Sequence, residues 1–135
     1  MSAAGSTTLL HRSSAEVAAA LAEARERTLW LIDGIAPHEL DRVHSTLMSP
    51  LAWDLGHIAA FEDLWLAQIA AGEELLHPEL AEVYDAFETP RAGRGDLPYL
   101  RGTECIDYLR QVRDRSLALL ERDGPGDGWL HEMVV

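Results

Sequence analysis

Three stretches of the chain set apolar residues at helical intervals, and almost nothing alternates as a strand does. The first is predicted to run from Ala15 to Ile32, with Val17, Leu21, Ala24, Thr28, Leu31 and Ile32 inward and Glu23, Arg25 and Glu26 outward. Ser13 and Glu16 have capping-box spacing at its start, and Asp33-Gly34 marks its end. The second is predicted from Pro50 to Ala71, with Ser49 as N-cap and Gly72 closing it. It is apolar nearly all round, which predicts burial on both flanks. The third is predicted from Glu104 to Arg122, capped by Thr103 and stopped by Asp123-Gly124. Its inward stripe is Ile106, Leu109, Val112, Ser116, Leu117 and Leu120, with Arg110, Arg113 and Arg115 as solvated flank.

Between the second and third helices lies a long connection containing one short helical segment, "PELAEVYDAF", and then "ETPRAGRGDLPYLRG". Loops of that length in compact helical domains are usually functional or mobile. After "DGPGDG" a new apolar segment opens, "WLHEMVV", which reads as the first turns of a fourth helix. The expected fold class is therefore all-α, a four-helix bundle with only the start of its fourth helix present. Residues 1–12 are expected to be a tail and 13–135 the bundle domain, incomplete at its C-terminus.

Composition narrows the function. At 135 residues the chain makes one domain, and its net charge of −12 argues against nucleic-acid and membrane-surface partners. All 11 basic residues are arginine. A lone cysteine, Cys105, fits a reducing compartment; at a helix N-terminus its pKa is open to lowering, but a small core residue is the simpler role. The first residues lack a basic start followed by an apolar run, and no stretch reaches the roughly 20 apolar residues that span a bilayer. A cytoplasmic location is expected.

The candidate chemistry centres on His57, within "MSPLAWDLGHIAAFEDLWL". Trp53, Phe61, Leu64 and Trp65 share its helix face, so the imidazole is expected to point inward. There it is either a core histidine satisfied by a carbonyl or carboxylate, or a metal ligand, and the pattern alone leaves both open. Asp54 is close enough along the helix to reach it, whereas Glu62 lies well round the cylinder. His11, His38, His44 and His77 fall in the tail or in connections, and His131 on the started helix reads as structural. Arg91 and Arg94 form an R-x-x-R pair suited to carboxylates, or else to offsetting Glu88 and Asp96.

The segment "HSTLMSPLAWDLGHIAAFEDLWL", with "YDAFETPRAGRGDLP" and the terminal "HEMVV", resembles the N-terminal DinB-like domain of the ergothioneine-biosynthesis sulfoxide synthases, the hercynine oxygenases. That family has a segment of the form S-P-L-x-W-x-L-x-H-I followed by E-x-L-W-L. The resemblance implies a non-haem Fe(II) site of three histidines, with His57 the first. The other two, an H-x-x-x-H pair on the fourth helix, would begin after Val135 and are absent from this sequence. It also implies that Arg91 and Arg94 contact the carboxylates of a thiol substrate, γ-glutamylcysteine or cysteine. The reaction implied for such a parent enzyme joins that thiol to hercynine with O₂. A C-terminal domain carried by the family is absent as well, so the 135 residues alone are expected to be catalytically silent and to bind Fe(II) weakly or not at all. The alternatives are a stand-alone DinB-like metal-dependent thiol transferase and a metal-free helical interaction module.

Overall fold

The computed structural model describes residues 13–126 and 129–135. The tail expected over residues 1–12, His11 included, lies outside the described residues. Helix α1 spans Ser14–Leu31, α2 Pro37–Leu40, α3 Leu51–Glu62, α4 Thr103–Asp123 and α5 Trp129–Glu132. Short 3₁₀ turns occupy Pro78–Leu80 and Arg91–Asp96, and no strand occurs among the described residues. No described helix is long and apolar enough to cross a membrane.

The caps follow from local chemistry. At α1, Ser13 Oγ accepts from the Glu16 amide at 3.2 Å while the Ser13 amide donates to Glu16 Oε1 at 3.1 Å, the reciprocal box expected of that spacing. Gly124 ends α4 at φ 73°, a conformation that costs glycine nothing, and its N–H returns to the Leu120 carbonyl at 2.8 Å. The other two helix starts differ from expectation. Pro50, not Ser49, is the cap residue of α3, and Ser49 turns its hydroxyl into a side-chain network described below. Thr103 is the first residue of α4 rather than its cap, and Gly102 holds the cap position at φ 54° without a side-chain bond. The segment "PELAEVYDAF" forms a single 3₁₀ turn followed by hydrogen-bonded turns, not a helix.

The predicted second helix is continuous in space but changes winding. After Glu62 it continues as a π-helix over Asp63–Ile69, with the Ala70 amide reaching the Trp65 carbonyl at 3.1 Å. Wider winding sets Glu62, Asp63, Leu66 and Ala67 on buried sides together.

Most of the core lies between α3, α4 and the loop joining them: Trp53, Leu55, Ala59, Tyr84, Tyr99, Cys105, Tyr108, Leu109 and Val112. A smaller cluster, Val17, Leu21 and Leu120 with Val134 against it, ties α1 to α4. Burial pushes the Cys105 thiol up to about 11, so the dipole of α4 does not activate it. Its Sγ–H donates to the Gly102 carbonyl at 3.0 Å.

Two residues expected on solvated flanks are instead largely covered, each side chain 12% exposed. Arg25 of α1 and Arg113 of α4 converge on Glu62, which is 1% exposed. Arg113 grips it bidentately, Nε to Oε2 at 3.1 Å and Nη2 to Oε1 at 2.9 Å. Arg25 Nη2 adds 3.3 Å to Oε1 and Ser116 Oγ donates to Oε2 at 2.8 Å. The spare guanidinium donors reach the Leu109 and Leu21 carbonyls, at 2.9 and 2.7 Å. A helical wheel assigns charge to solvent by default. Here each of three helices contributes polar groups to one point, and the two guanidiniums share a single carboxylate; burial and the neighbouring Arg113 lower the Arg25 pKa, opposed by Glu62. Arg115 is also largely covered and lies 3.7 Å from buried Asp63, while Arg110 is exposed as expected.

Beside this cluster runs a groove of about 530 Å³. Its walls include Ala24, Thr28 and Leu31 of α1, Ile58 of α3, and Val134 and Val135. This is why the expectation of burial on both flanks of the second helix holds only in part, Ile58 being 37% exposed, and why Leu31 of α1, expected inward, is instead 71% exposed.

Candidate functional site

The site is built on the aromatic face of α3. Trp53, His57 and Phe61 stand one turn apart, and the His57 ring stacks on Trp53 at 5.0 Å with only 9° between the planes. Phe61 tilts against the other side of the series at 6.2 Å, and Trp65 follows Phe61 at 6.0 Å. His57 is half-buried. Its Nδ1 lies 2.7 Å from the backbone carbonyl of Tyr84. A carbonyl only accepts, so Nδ1 carries the hydrogen, and in the neutral ring the lone pair is left on Nε2. Nε2 makes no hydrogen bond among the described residues. An N–H···O=C bond at one nitrogen is how metal-binding histidines are commonly oriented. The two roles left open by the pattern are thus compatible, since each uses a different nitrogen.

Tyr84 comes from the long loop, and two features of α3 bring it there. Gly56 has no side chain: a Cβ at that position would stand 2.5 Å from Tyr84 Cε1 and closer still to Cζ and Oη. The phenol is therefore seated directly on the helix backbone, and its oxygen accepts the Leu100 amide at 2.9 Å. Burial pushes that phenol up to about 12, so it stays neutral. Trp53 Nε1 then donates to the Val83 carbonyl at 2.9 Å, fixing the preceding residue.

The loop arginines occupy different environments. Arg91 is exposed and makes no hydrogen bond among the described residues. Arg94 is 7% exposed, with Nε on the Thr89 carbonyl at 2.9 Å, Nη1 on Ser49 Oγ at 2.9 Å and Nη2 on the Ala86 carbonyl at 3.2 Å. Its guanidinium carbon lies 3.9 Å over the Trp53 ring. Asp54 lies within electrostatic reach of both arginines and of His57. Burial raises its carboxyl above the ordinary range, opposed by Arg94, by His57, by a hydrogen bond with Ser49 and by Arg91. Glu88 and Asp96, the alternative partners of the pair, make no ion pair with either arginine.

Of the other histidines, His38 and His44 are exposed, and His77 lies edge-on to Tyr108 at 5.1 Å with Nδ1 3.0 Å from Glu79. His131 is 7% exposed, and its buried Nδ1 has no hydrogen-bond partner among the described residues. Among the described residues no three His, Cys, Asp or Glu side chains are gathered as a metal site. His57 therefore offers one donor suited to a borderline metal such as iron, and the described chain does not surround it with others.

Helices α1, α3, α4 and α5 packed about a common core, with no strand among the described residues, define the class. Residues 20–132 match the DinB superfamily, and the chain belongs to it. The chain is also 43% identical over 111 residues to a hercynine oxygenase of Mycolicibacterium smegmatis, a match covering 78% of this chain and 26% of that protein. Hercynine oxygenases of Mycolicibacterium thermoresistibile and Mycobacterium tuberculosis are 43% and 41% identical over 112 and 128 residues. These matches cover 80% and 91% of this chain, and 24% and 29% of those proteins. The chain thus spans about a quarter of the length of these curated relatives.

Proposed function

We propose that this chain is the N-terminal, iron-binding portion of a hercynine oxygenase, which joins a thiol, γ-glutamylcysteine or cysteine, to hercynine with O₂. The observation that carries this reading is the orientation of His57. Tyr84 holds the proton on Nδ1 and leaves the Nε2 lone pair for a metal, inside the span that matches the superfamily. The remaining two histidine ligands are proposed to lie beyond Val135, on a fourth helix continuing along the groove that Val134 and Val135 already line.

In that reading iron, when bound, supplies the O₂ chemistry. This chain contributes the rest of its wall: Trp53 and Phe61 cover the imidazole and restrict water, and Tyr84 fixes its tautomer. The R-x-x-R loop is proposed to receive the substrate carboxylate, with exposed Arg91 the member whose donors are open to it.

The test is to express the reading frame through to its own stop codon and measure O₂ uptake with Fe(II), hercynine and each thiol. Uptake requiring both substrates, and lost in His57→Ala, supports the proposal. No uptake with either thiol, or an unaffected H57A variant, rejects it.

A further inference from the structure

We infer that the groove beside α1 is the seat of an acidic helix: the polypeptide that follows Val135 lies in it and sets one carboxylate against Arg25 and Arg113. This rests on the proposal that a fourth helix continues along the groove, and it names the charge that helix carries.

The charges in the groove wall do not balance. Arg25, Glu62 and Arg113 all line it, so two guanidiniums meet one carboxylate and one positive charge is left over. The other two charged residues of the wall, Glu23 and Arg27, pair with each other. Donors are in surplus too. A guanidinium has five N–H groups, and among the described residues Arg25 makes two hydrogen bonds and Arg113 three. Burial first, and Arg113 second, already disfavour the charge on Arg25, with Glu62 opposing. While the groove is open, water solvates the surplus charge. A purely apolar cover would remove that water and leave a buried cation short of its counter-ion. A cover that bears a carboxylate supplies charge and acceptors together.

The rest of the wall fits the apolar side of a helix. Ala20, Ala24, Leu31 and Ile58 line it, with Leu31 and Ile58 open to solvent. Val134 packs against the cluster of Val17, Leu21 and Leu120, and Val135 stands in the groove. Arg25 is one turn beyond Leu21 on α1. A helix that continues past Val135 along the groove therefore brings a carboxylate to Arg25 about four to eight residues after Val134. A second copy of this chain is the poorer occupant, because each copy carries a net charge of −12 and the two repel.

A synthetic peptide of the about 20 residues that follow Val135 in the reading frame, long enough for a helix of several turns, is titrated into the 135-residue chain. Each Asp or Glu in it is replaced singly by Asn or Gln. One replacement, about four to eight residues after Val134, should weaken binding about tenfold or more, and the others should change it less than about twofold. To an Arg25→Met chain the native peptide should bind about tenfold more weakly, and the same replacement should then add less than about twofold. A reading frame with no Asp or Glu at those positions overturns the inference, as does a peptide that binds without dependence on any one carboxylate, or does not bind. Should R25M fail to fold, the substituted peptides on the native chain decide alone. Neither iron nor substrate enters the readout, and carboxylate-independent binding leaves the fourth helix in its groove, so this failure is distinct from failure of the oxygenase reading.

Discussion

Replacing Gly56 by alanine sets two physical effects against each other. Gly56 lies inside α3, where glycine costs about 1 kcal/mol relative to alanine, so helix propensity alone predicts that Gly56→Ala stabilises by that amount. The packing predicts the reverse. The new methyl would stand 2.5 Å from Tyr84 Cε1, with Cζ and Oη nearer still, and Tyr84 is 2% exposed with no solvent to retreat into. Overpacking of this kind costs about 1–3 kcal/mol. Moving the phenol also strips the Leu100 amide of its acceptor, about 1–3 kcal/mol more if the amide stays buried and unpaired. Subtracting the propensity gain leaves a net loss of about 3 kcal/mol, a large share of the roughly 5–15 kcal/mol that stabilises a domain. For a chain of 135 residues that corresponds to a fall of about 9–15 °C in Tm. Urea and thermal denaturation measure it, and a Gly56→Ala/Tyr84→Leu double variant isolates the clash. The double variant should lose less than the sum of the two single losses, because removing the ring relieves the methyl. A G56A chain as stable as the parent or more so, or strictly additive losses, would refute the seating of Tyr84 on the helix.

Glu62→Ala leaves Arg25 and Arg113 buried without their carboxylate, and should cost about 3–5 kcal/mol by urea denaturation. Buried His131 has its pKa lowered, by burial first with Glu62 opposing, so the folded state holds fewer protons than the unfolded one below the ordinary histidine pKa of about 6.5. Stability should therefore be full above that value and decline as pH falls through it, and His131→Phe should flatten the slope in denaturation curves at about pH 5 to 7.

How far the molecule can be read from its residues depends on whether the deciding contact is local. The capping box of Ser13 and Glu16 and the stop at Gly124 are contacts over three or four residues, and they stand where the spacing puts them. The aromatic face around His57 is also set by helical repeat. The partner of His57 is not: Tyr84 is 27 residues away and offers a main-chain carbonyl, which every residue has. Gly56 was the available signal, since a glycine within a helix often marks close approach of another group. Arg25, Glu62 and Arg113 were illegible for a different reason. Each sits where a wheel assigns charge to water, and only the meeting of three helices reveals that the charges complete one another. Arg94 reads from sequence as half of a symmetric pair, and burial of one member alone breaks that symmetry.

The claim on which the functional account rests is that His57 presents Nε2 to a metal. Calorimetric titration of Fe(II), without oxygen, into the product of the complete reading frame tests it most directly. The account predicts one iron per chain, lost in His57→Ala, and no tight binding to residues 1–135 alone. Unchanged iron affinity in the H57A protein, or tight binding by the 135-residue chain, would contradict it.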